Sequence, residues 1–482
     1  MNGKESARVR PAALLLNRSG YLLLLITICL TAIPYGTVQP WWISIFECAV
    51  FLIAILAVVE FSITKRWQLQ WSLVAPLIVL ILFAIIQSIP LFSGPGPISP
   101  RTAISADPFG TRLFALQLTA LVCVSLLLLH YTSTKARLTR LIYVIVGIGV
   151  ASALFGIIRQ SLQTSPGFLL PALPTGGRSF GQFINKNHFA LLVEMSLGLT
   201  LGLIMAEWGR HRRVIVLVVV AAMLWVAIIY SNSRGGIVAS LCQLLFVAAF
   251  IGGMRVPAKD EEASEDEDEE DDRESRRRRI RNLAGGLVTR GLLLVCLVGL
   301  LIYGVSWIGG EPVVSNLEWA VTDFSQQEMG NNVNSSRKEI WAASWQMFKA
   351  HPIAGVGFGA YWIGITRYHR ASGEITPQQA HNDYLELLTS GGLIACALLI
   401  WFAILFVRAA GRRVGPPDAY CRAVYLGALA GIFAVAIHSI FDFGLHITVN
   451  ALVFFVLLVI VLQSNRLVSK EIDCAGALTN GV

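Results

Sequence analysis

A polar segment of roughly eighty residues, 309–389, lies between two hydrophobic stretches late in the chain and holds its densest set of chemically able side chains. Arg337 and Trp341 come first, then HPIAGVGFGAYW from His351, then AHNDYLELLTSGG around His381. A guanidinium is planar, permanently charged and matches phosphate oxygens two at a time. Arg337 therefore reads either as a phosphate clamp or as an ordinary solvated arginine. NVNSSRKEIWAASWQMFKAHP predicts a helix, with Ser336 and Glu339 at capping-box spacing and Pro352 closing the far end. Ile340, Trp341, Ser344, Trp345 and Phe348 share one side of it, as suits a helix lying along a membrane surface. His381 precedes a short apolar helix, DYLELLTS, that ends at Gly391 and Gly392. There an imidazole serves either as a general base or as a structural hydrogen-bond partner, and Asn382 can orient a neighbour. His351, with a proline after it, reads as a structural helix end. Gly355, Gly357 and Gly359 alternate in GVGFG, which permits a sharp turn or a close backbone approach. No Gly-Lys-Ser/Thr follows, so this is not a phosphate P-loop, and a tight turn without a ligand is the plainer reading.

Three further stretches add polar groups near the ends of hydrophobic runs. SNSRGG places Arg234 at a membrane edge, where it either lines a water-filled pocket or reaches toward headgroups. GGRSFGQFINKNHFALLVEM brings Arg178, Lys186, Asn187 and His188 just ahead of a span and puts Glu194 about two turns inside it. An acid at that depth is a functional candidate, with a buried partner such as Lys186 as the modest explanation. HSIFDFGLH sets His438 and Asp442 in the last hairpin, where Asp442 could pair with an arginine.

The elements that must position these groups are membrane helices. The chain is 55% apolar and 14% charged over 482 residues, outside the soluble globular range. A span needs about 20 mainly apolar residues. About twelve candidates are readable, near 20–34, 41–60, 71–89, 111–130, 141–160, 188–206, 214–230, 237–254, 291–308, 390–407, 423–441 and 447–464. Pro34 cuts the first one short, and no convincing small-residue cleavage site follows Leu30, so the segment is expected to be retained. The fold class expected is an all-α integral membrane protein with one large, mostly helical outer loop.

Lysines and arginines recur on alternate connections: Lys65 and Arg66, then Lys135 to Arg140, Arg210 to Arg213, Arg276 to Arg279, and Arg408 to Arg422. By the positive-inside rule these face the cytoplasm with both termini, and the 309–389 loop faces outward. The formal net charge of +8 follows from that asymmetry and gives no sign of nucleic-acid binding. The organisation expected is an N-terminal bundle of about eight spans (1–253), a charged linker (254–290), a span (291–308), the outer loop (309–389), the last spans (390–465) and a tail (466–482). DEEASEDEDEEDDRESRRRRIR, within the linker, is too polar to bury a core and is expected to be disordered, as a solvated linker or a docking segment. The eight cysteines fall in spans or on the cytoplasmic side, so the outer loop is expected to lack disulfides, and no pair has metal-ligand spacing.

Arg178, Lys186, Arg234, Arg337 and His381 all map to the outer side. Several cations and one titratable base at a lipid boundary describe a place for a phosphate-bearing lipid with a proton to be removed nearby. NKNHFA, SNSRGG, the Arg337–Trp341 pair, HPIAGVGFG, AHNDYLELLTSGG and HSIFDF together resemble the O-antigen ligase and O-antigen polymerase family of bacterial membrane proteins, over residues from about 178 to 445. The first five spans match only in hydropathy. The resemblance implies a C-type membrane glycosyltransferase that acts without metal or cofactor at the outer face of the cytoplasmic membrane. It also implies a donor glycan on undecaprenyl diphosphate and inversion at the anomeric carbon. Arg234 and Arg337 look like the family's diphosphate-binding arginines, and His381 like the histidine that activates the acceptor hydroxyl. NKNHFA is closest to the form in exopolysaccharide-type polymerases and departs from the Asn-Pro-Asn form of other members. Partners implied are the bilayer, the lipid-linked glycan, and a glycan or lipid-core acceptor, together with other polysaccharide assembly proteins. A lipid-linked oligosaccharide flippase is the rival from another class; such proteins usually carry midplane charges and related halves, whereas this sequence shows no internal repeat.

Overall fold

The computed structural model describes residues 3–33, 35–65, 71–91, 103–162, 179–253, 337–369, 377–411 and 418–479. The expected span 291–308, the charged linker, Arg178 and Ser336 lie outside the described residues. The described chain is helical, with two isolated bridges and no strand. Its long helices are α1 (Gly3–Thr31), α2 (Pro40–Thr64), α3 (Trp71–Ser88), α4 (Pro108–Tyr131), α5 (Lys135–Leu162), α6 (Lys186–Ala206), α7 (His211–Tyr230), α8 (Arg234–Gly253), α9 (Arg337–Ala350), α10 (Asp383–Gly411), α11 (Ala419–His438) and α12 (Thr448–Thr479). Among the described residues nine helices are long and apolar enough to cross a membrane, with α3 and α8 as shorter apolar helices. The chain is an all-α integral membrane protein. The penultimate expected span, 423–441, ends early at His438, and residues up to Thr448 form a turn and a 3₁₀ segment, Gly444–His446.

The α6 span is 83% buried and so is the span of α12, whereas that of α10 is only 17% buried. The first two therefore form the axle of the bundle and α10 its lipid-facing flank. The α6–α11 contact is made by glycines a turn apart on each helix. A Cβ at Gly198 would come 2.7 Å from the Gly431 backbone N, and one at Gly427 would come 2.7 Å from the Gly198 carbonyl. In lipid, where apolar tails remove the hydrophobic drive for association, such close backbone approach is a main source of helix pairing. The pairing aligns the start of α6 with the end of α11.

Short polar side chains begin the helices at that end of the bundle. Asp107 accepts from Gly110 N at 3.0 Å ahead of α4, and Asn185 accepts from Asn187 N at 2.9 Å ahead of α6. Ser233 accepts from Gly236 N at 3.2 Å ahead of α8, and Asn382 accepts from Leu385 N at 2.9 Å ahead of α10. Each satisfies a backbone donor that the first helical turn leaves without a partner.

Two expectations about local packing are corrected. Helix α9 buries Ile340, Ala343, Ser344 and Met347, while Trp345 is exposed, so the buried stripe is rotated from the one read in the sequence. Ser344 bonds the Tyr361 hydroxyl at 2.6 Å on that buried side. The GVGFG glycines are more than a free turn. Gly355, Gly357 and Gly359 have φ of +67°, +103° and +70°, and a Cβ at each would run into the Ser390 carbonyl, Ser105 or the Gly110 carbonyl. Backbone bonds from Val356 N to Thr389 O and from Gly357 N to Ser390 O, both 2.9 Å, fasten the loop to α10. Gln87 adds bonds to the Ala354 and Ser390 carbonyls at 2.6 and 3.1 Å. At this fastening α10 breaks: Gly392 has φ 63° and ψ −162°, a region open essentially to glycine alone.

Candidate functional site

At the end of the bundle where α6, α8, α10 and α12 begin and α11 finishes, the candidate residues divide into a cationic group and a buried acid–imidazole group. Lys186 opens α6, Arg234 opens α8 and Arg337 opens α9. Both guanidinium groups act electrostatically on the Lys186 ammonium, which places each of them in its neighbourhood. Arg234 and Arg337 are exposed and Lys186 is half-buried. Like charges gathered around Lys186 oppose its own, and an anion bound beside it relieves that repulsion.

Beside them, His381 has a left-handed backbone, φ 51°, and turns its Nδ1 toward Asp442 Oδ1 at 3.1 Å. Asp442 has no solvent-exposed surface. Its Oδ1 also accepts from Phe443 N at 2.9 Å, and its Oδ2 accepts from the amides of Asn187 and, at 3.4 Å, Asn185. Asn187 in turn accepts from the Ser233 hydroxyl at 2.8 Å, which ties the carboxylate to the start of α8. Burial works to raise the Asp442 pKa. The hydrogen bond from His381 and the imidazoles of His188, His381 and His438 overcome it and hold the group well below the usual carboxylate range. An ionised Asp442 fixes the His381 proton on Nδ1 and leaves the lone pair on Nε2. That nitrogen has no hydrogen-bond partner among the described residues. The side chain is 34% exposed, so Nε2 can meet a molecule from outside. Asp442 thus pairs with His381, where the sequence suggested an arginine.

The loop that carries His381 is braced on both sides of one residue, Ala380. Trp341 Nε1 donates to the Ala380 carbonyl at 2.9 Å, and Glu386 Oε2 accepts from Ala380 N at 2.9 Å. Trp341 stands one helical turn after Arg337, so the brace links the helix bearing that arginine to the histidine loop. Asn382 donates to the Ile440 carbonyl at 3.0 Å, and Asp383 accepts from the Ser439 hydroxyl at 2.8 Å, which fasten the same loop to the last hairpin.

Glu194 pairs with His438, whose Nδ1 is 2.9 Å from Glu194 Oε1, and not with Lys186. Both are wholly buried, so this pair lies inside the bundle below the exposed groups. His188 is buried too, its ring 4.8 Å from that of Phe443, and its carbonyl accepts from Asn450 at 3.0 Å. His351 ends α9, its backbone N–H donating to Met347 and Phe348 carbonyls at 3.1 and 3.0 Å. Gly355 and Gly357 belong to the loop fastened on α3, α4 and α10 and do not join the site. Among the described residues no three His, Cys, Asp or Glu side chains converge to hold a metal ion.

Asn185, Ser233, Glu386, Phe443 and His446 take part in this arrangement and do not stand out in the sequence. Asn185 and Ser233 were readable as helix caps; Glu386 sits inside an apolar run and carries no local signal. Residues 218–400 match the model of a family described as O-antigen ligase, a narrower stretch than the 178–445 over which the motifs run. The match takes in Arg234, Arg337, Trp341 and His381 and leaves Lys186, Asn187 and Asp442 outside it. No curated protein matches the chain.

Proposed function

We propose that this membrane protein, whose residues 218–400 carry an O-antigen ligase family domain, is a glycosyltransferase working on lipid-diphosphate-linked glycans. Its donor is an oligo- or polysaccharide on undecaprenyl diphosphate, and its acceptor is a sugar hydroxyl at the outer, periplasmic face of the cytoplasmic membrane. Lys186, Arg234 and Arg337 embrace the diphosphate. His381 is the general base. Its Nε2 takes the acceptor hydroxyl proton as that oxygen forms a bond to the anomeric carbon. The bond from that carbon to the diphosphate oxygen breaks, and the lipid diphosphate departs with the electron pair. Charge growing on the departing oxygens is met by the three cations, which fill the part a divalent ion plays in other diphosphate chemistry. Attack opposite the leaving group inverts the anomeric centre. Polymerisation and ligation share this donor side, and the acceptor sets the product.

The observation that supports this reading is the His381–Asp442 pair standing at the same end of the bundle as the three cations. Purified protein is given undecaprenyl-diphosphate-linked oligosaccharide and a carbohydrate acceptor, and product is followed by mass. His381→Ala is expected to lose the roughly 10²- to 10⁴-fold contributed by a general base. Full transfer by that variant refutes the assignment. Donor that crosses a vesicle bilayer without being consumed would identify a flippase instead.

A further inference from the structure

The last hairpin holds a second imidazole that the transfer just described does not use. His446 ends the 3₁₀ segment Gly444–His446, and its side chain is 34% exposed, the same fraction as His381. Its Nε2 lies 3.3 Å from Glu386 Oε1 and 3.9 Å from Asp383 Oδ1. Both carboxylates are themselves fixed, Glu386 by Ala380 N–H and Asp383 by the Ser439 hydroxyl. With Nε2 turned toward these two carboxyl groups, Nδ1 is the ring nitrogen left for a ligand. Nδ1 of His446 has no hydrogen-bond partner among the described residues.

Phe443 joins the two histidines. Its ring centroid is 4.9 Å from that of His381 and 6.0 Å from that of His446, both edge-on. His381 turns Nδ1 inward and keeps Nε2 outward, while His446 turns Nε2 inward and keeps Nδ1. Two imidazoles, each set against a buried carboxylate and each with one unpartnered nitrogen, therefore flank one aromatic ring. The transfer needs a single base, because a diphosphate leaves without being protonated. A second outward acceptor nitrogen suits a ligand that presents more than one hydroxyl, and the Phe443 ring offers apolar surface to the C–H face of a pyranose.

The geometry points to His446 as an acceptor-recognition residue, whose Nδ1 accepts a hydrogen bond from a hydroxyl of the acceptor sugar other than the one His381 deprotonates. The pair of imidazoles then selects which hydroxyl attacks. His446 exchanges no proton and touches no reacting atom; it is a positioning residue. The inference rests on the reading of His381 as base.

The test is steady-state transfer from undecaprenyl-diphosphate-linked oligosaccharide to the aryl hexopyranoside that the wild-type protein accepts fastest, and to its monodeoxy analogues. His446→Ala is expected to raise the acceptor KM about five- to tenfold and leave the donor KM unchanged. One deoxy analogue should suffer the same penalty with the wild-type protein and no further penalty with the variant. His446→Gln, whose amide oxygen can accept the same bond, should recover most of the loss. Should His446→Ala not fold, His446→Phe removes both nitrogens, keeps an aromatic ring beside Phe443 and gives the same comparison. An unchanged acceptor KM, equal penalties for every deoxy analogue in both proteins, or no recovery by Gln overturns the inference. His381→Ala separates the two claims: if it transfers glycan at the wild-type rate, the reading of the whole site fails. If it loses the expected 10²- to 10⁴-fold while His446→Ala behaves as wild type, only the role of His446 falls.

Discussion

Replacing Asp442 by Asn keeps the shape of the side chain and removes its charge, and the surroundings offer the amide no good orientation. Asp442 Oδ1 receives His381 Nδ1–H and Phe443 N–H, and Oδ2 receives amide N–H groups from Asn187 and Asn185. With the new oxygen toward His381, the new amide nitrogen faces two donors; turned round, it faces the histidine. In the first orientation the charge-assisted bond to His381 weakens, and in the second the imidazole moves its proton to Nε2 and ceases to be a base. A hydrogen bond to a charged group is worth about 1.5–3 kcal/mol. At about 1.4 kcal/mol per factor of ten, Asp442→Asn should lower kcat about 10- to 150-fold, less than loss of the base itself. The assay is single-turnover transfer at saturating donor, with donor KM as a check that the cationic side is intact. Stability should follow the same carboxylate. Its folded pKa lies below the unfolded value of about 3.9, so its contribution is present above about pH 5 and is lost as pH falls through the folded value. The melting temperatures of wild type and Asp442→Asn in detergent should therefore differ at pH 7 and converge on acidification. A variant with wild-type kcat, or a melting difference that widens toward low pH, refutes the reasoning.

Arg234→Lys and Arg337→Lys should each raise the donor KM several-fold with the acceptor KM unchanged, since a point charge replaces a two-pronged one, and Glu at either site should abolish donor use; titrating lipid-linked donor at fixed acceptor reads both. Trp341→Phe removes only the bond to the Ala380 carbonyl, worth about 1 kcal/mol, so kcat should fall about fivefold while the helix stays folded by circular dichroism. Gly392→Ala forces a side chain into a conformation costing about 1–3 kcal/mol, with its Cβ against the Ile353 carbonyl, and should lower the thermal unfolding midpoint of the detergent-solubilised protein.

Hydropathy located the membrane helices because a span is a local property: about 20 apolar residues suffice to recognise one, and helices α2 to α8 follow the expected ranges to within a turn or two. The break at Gly391–Gly392 was readable for the same reason. Partner choice was not. Glu194 meets His438 across 244 positions and Asn187 meets Asp442 across 255, so no window of sequence contains both members of either pair. The sequence offered Lys186 for Glu194 and an outward arginine for Asp442. The glycine contact between α6 and α11 decides otherwise, bringing two chain-distant ends together. Glu386 was hidden by its setting, an acid in an apolar helix whose use is apparent only once Ala380 and His446 are seen against it.

The tie between Asn187 and Asp442 also bears on how the protein is made. Helix α6 leaves the ribosome with its glutamate and its amide-bearing cap some 250 residues ahead of the groups that complete them. During that interval the half-built bundle must shelter polar atoms from lipid with no partner yet synthesised. Catalytic competence, on this view, arrives in one step with insertion of the final hairpin, and a nascent chain stalled before residue 438 would be inert however well its earlier helices had packed.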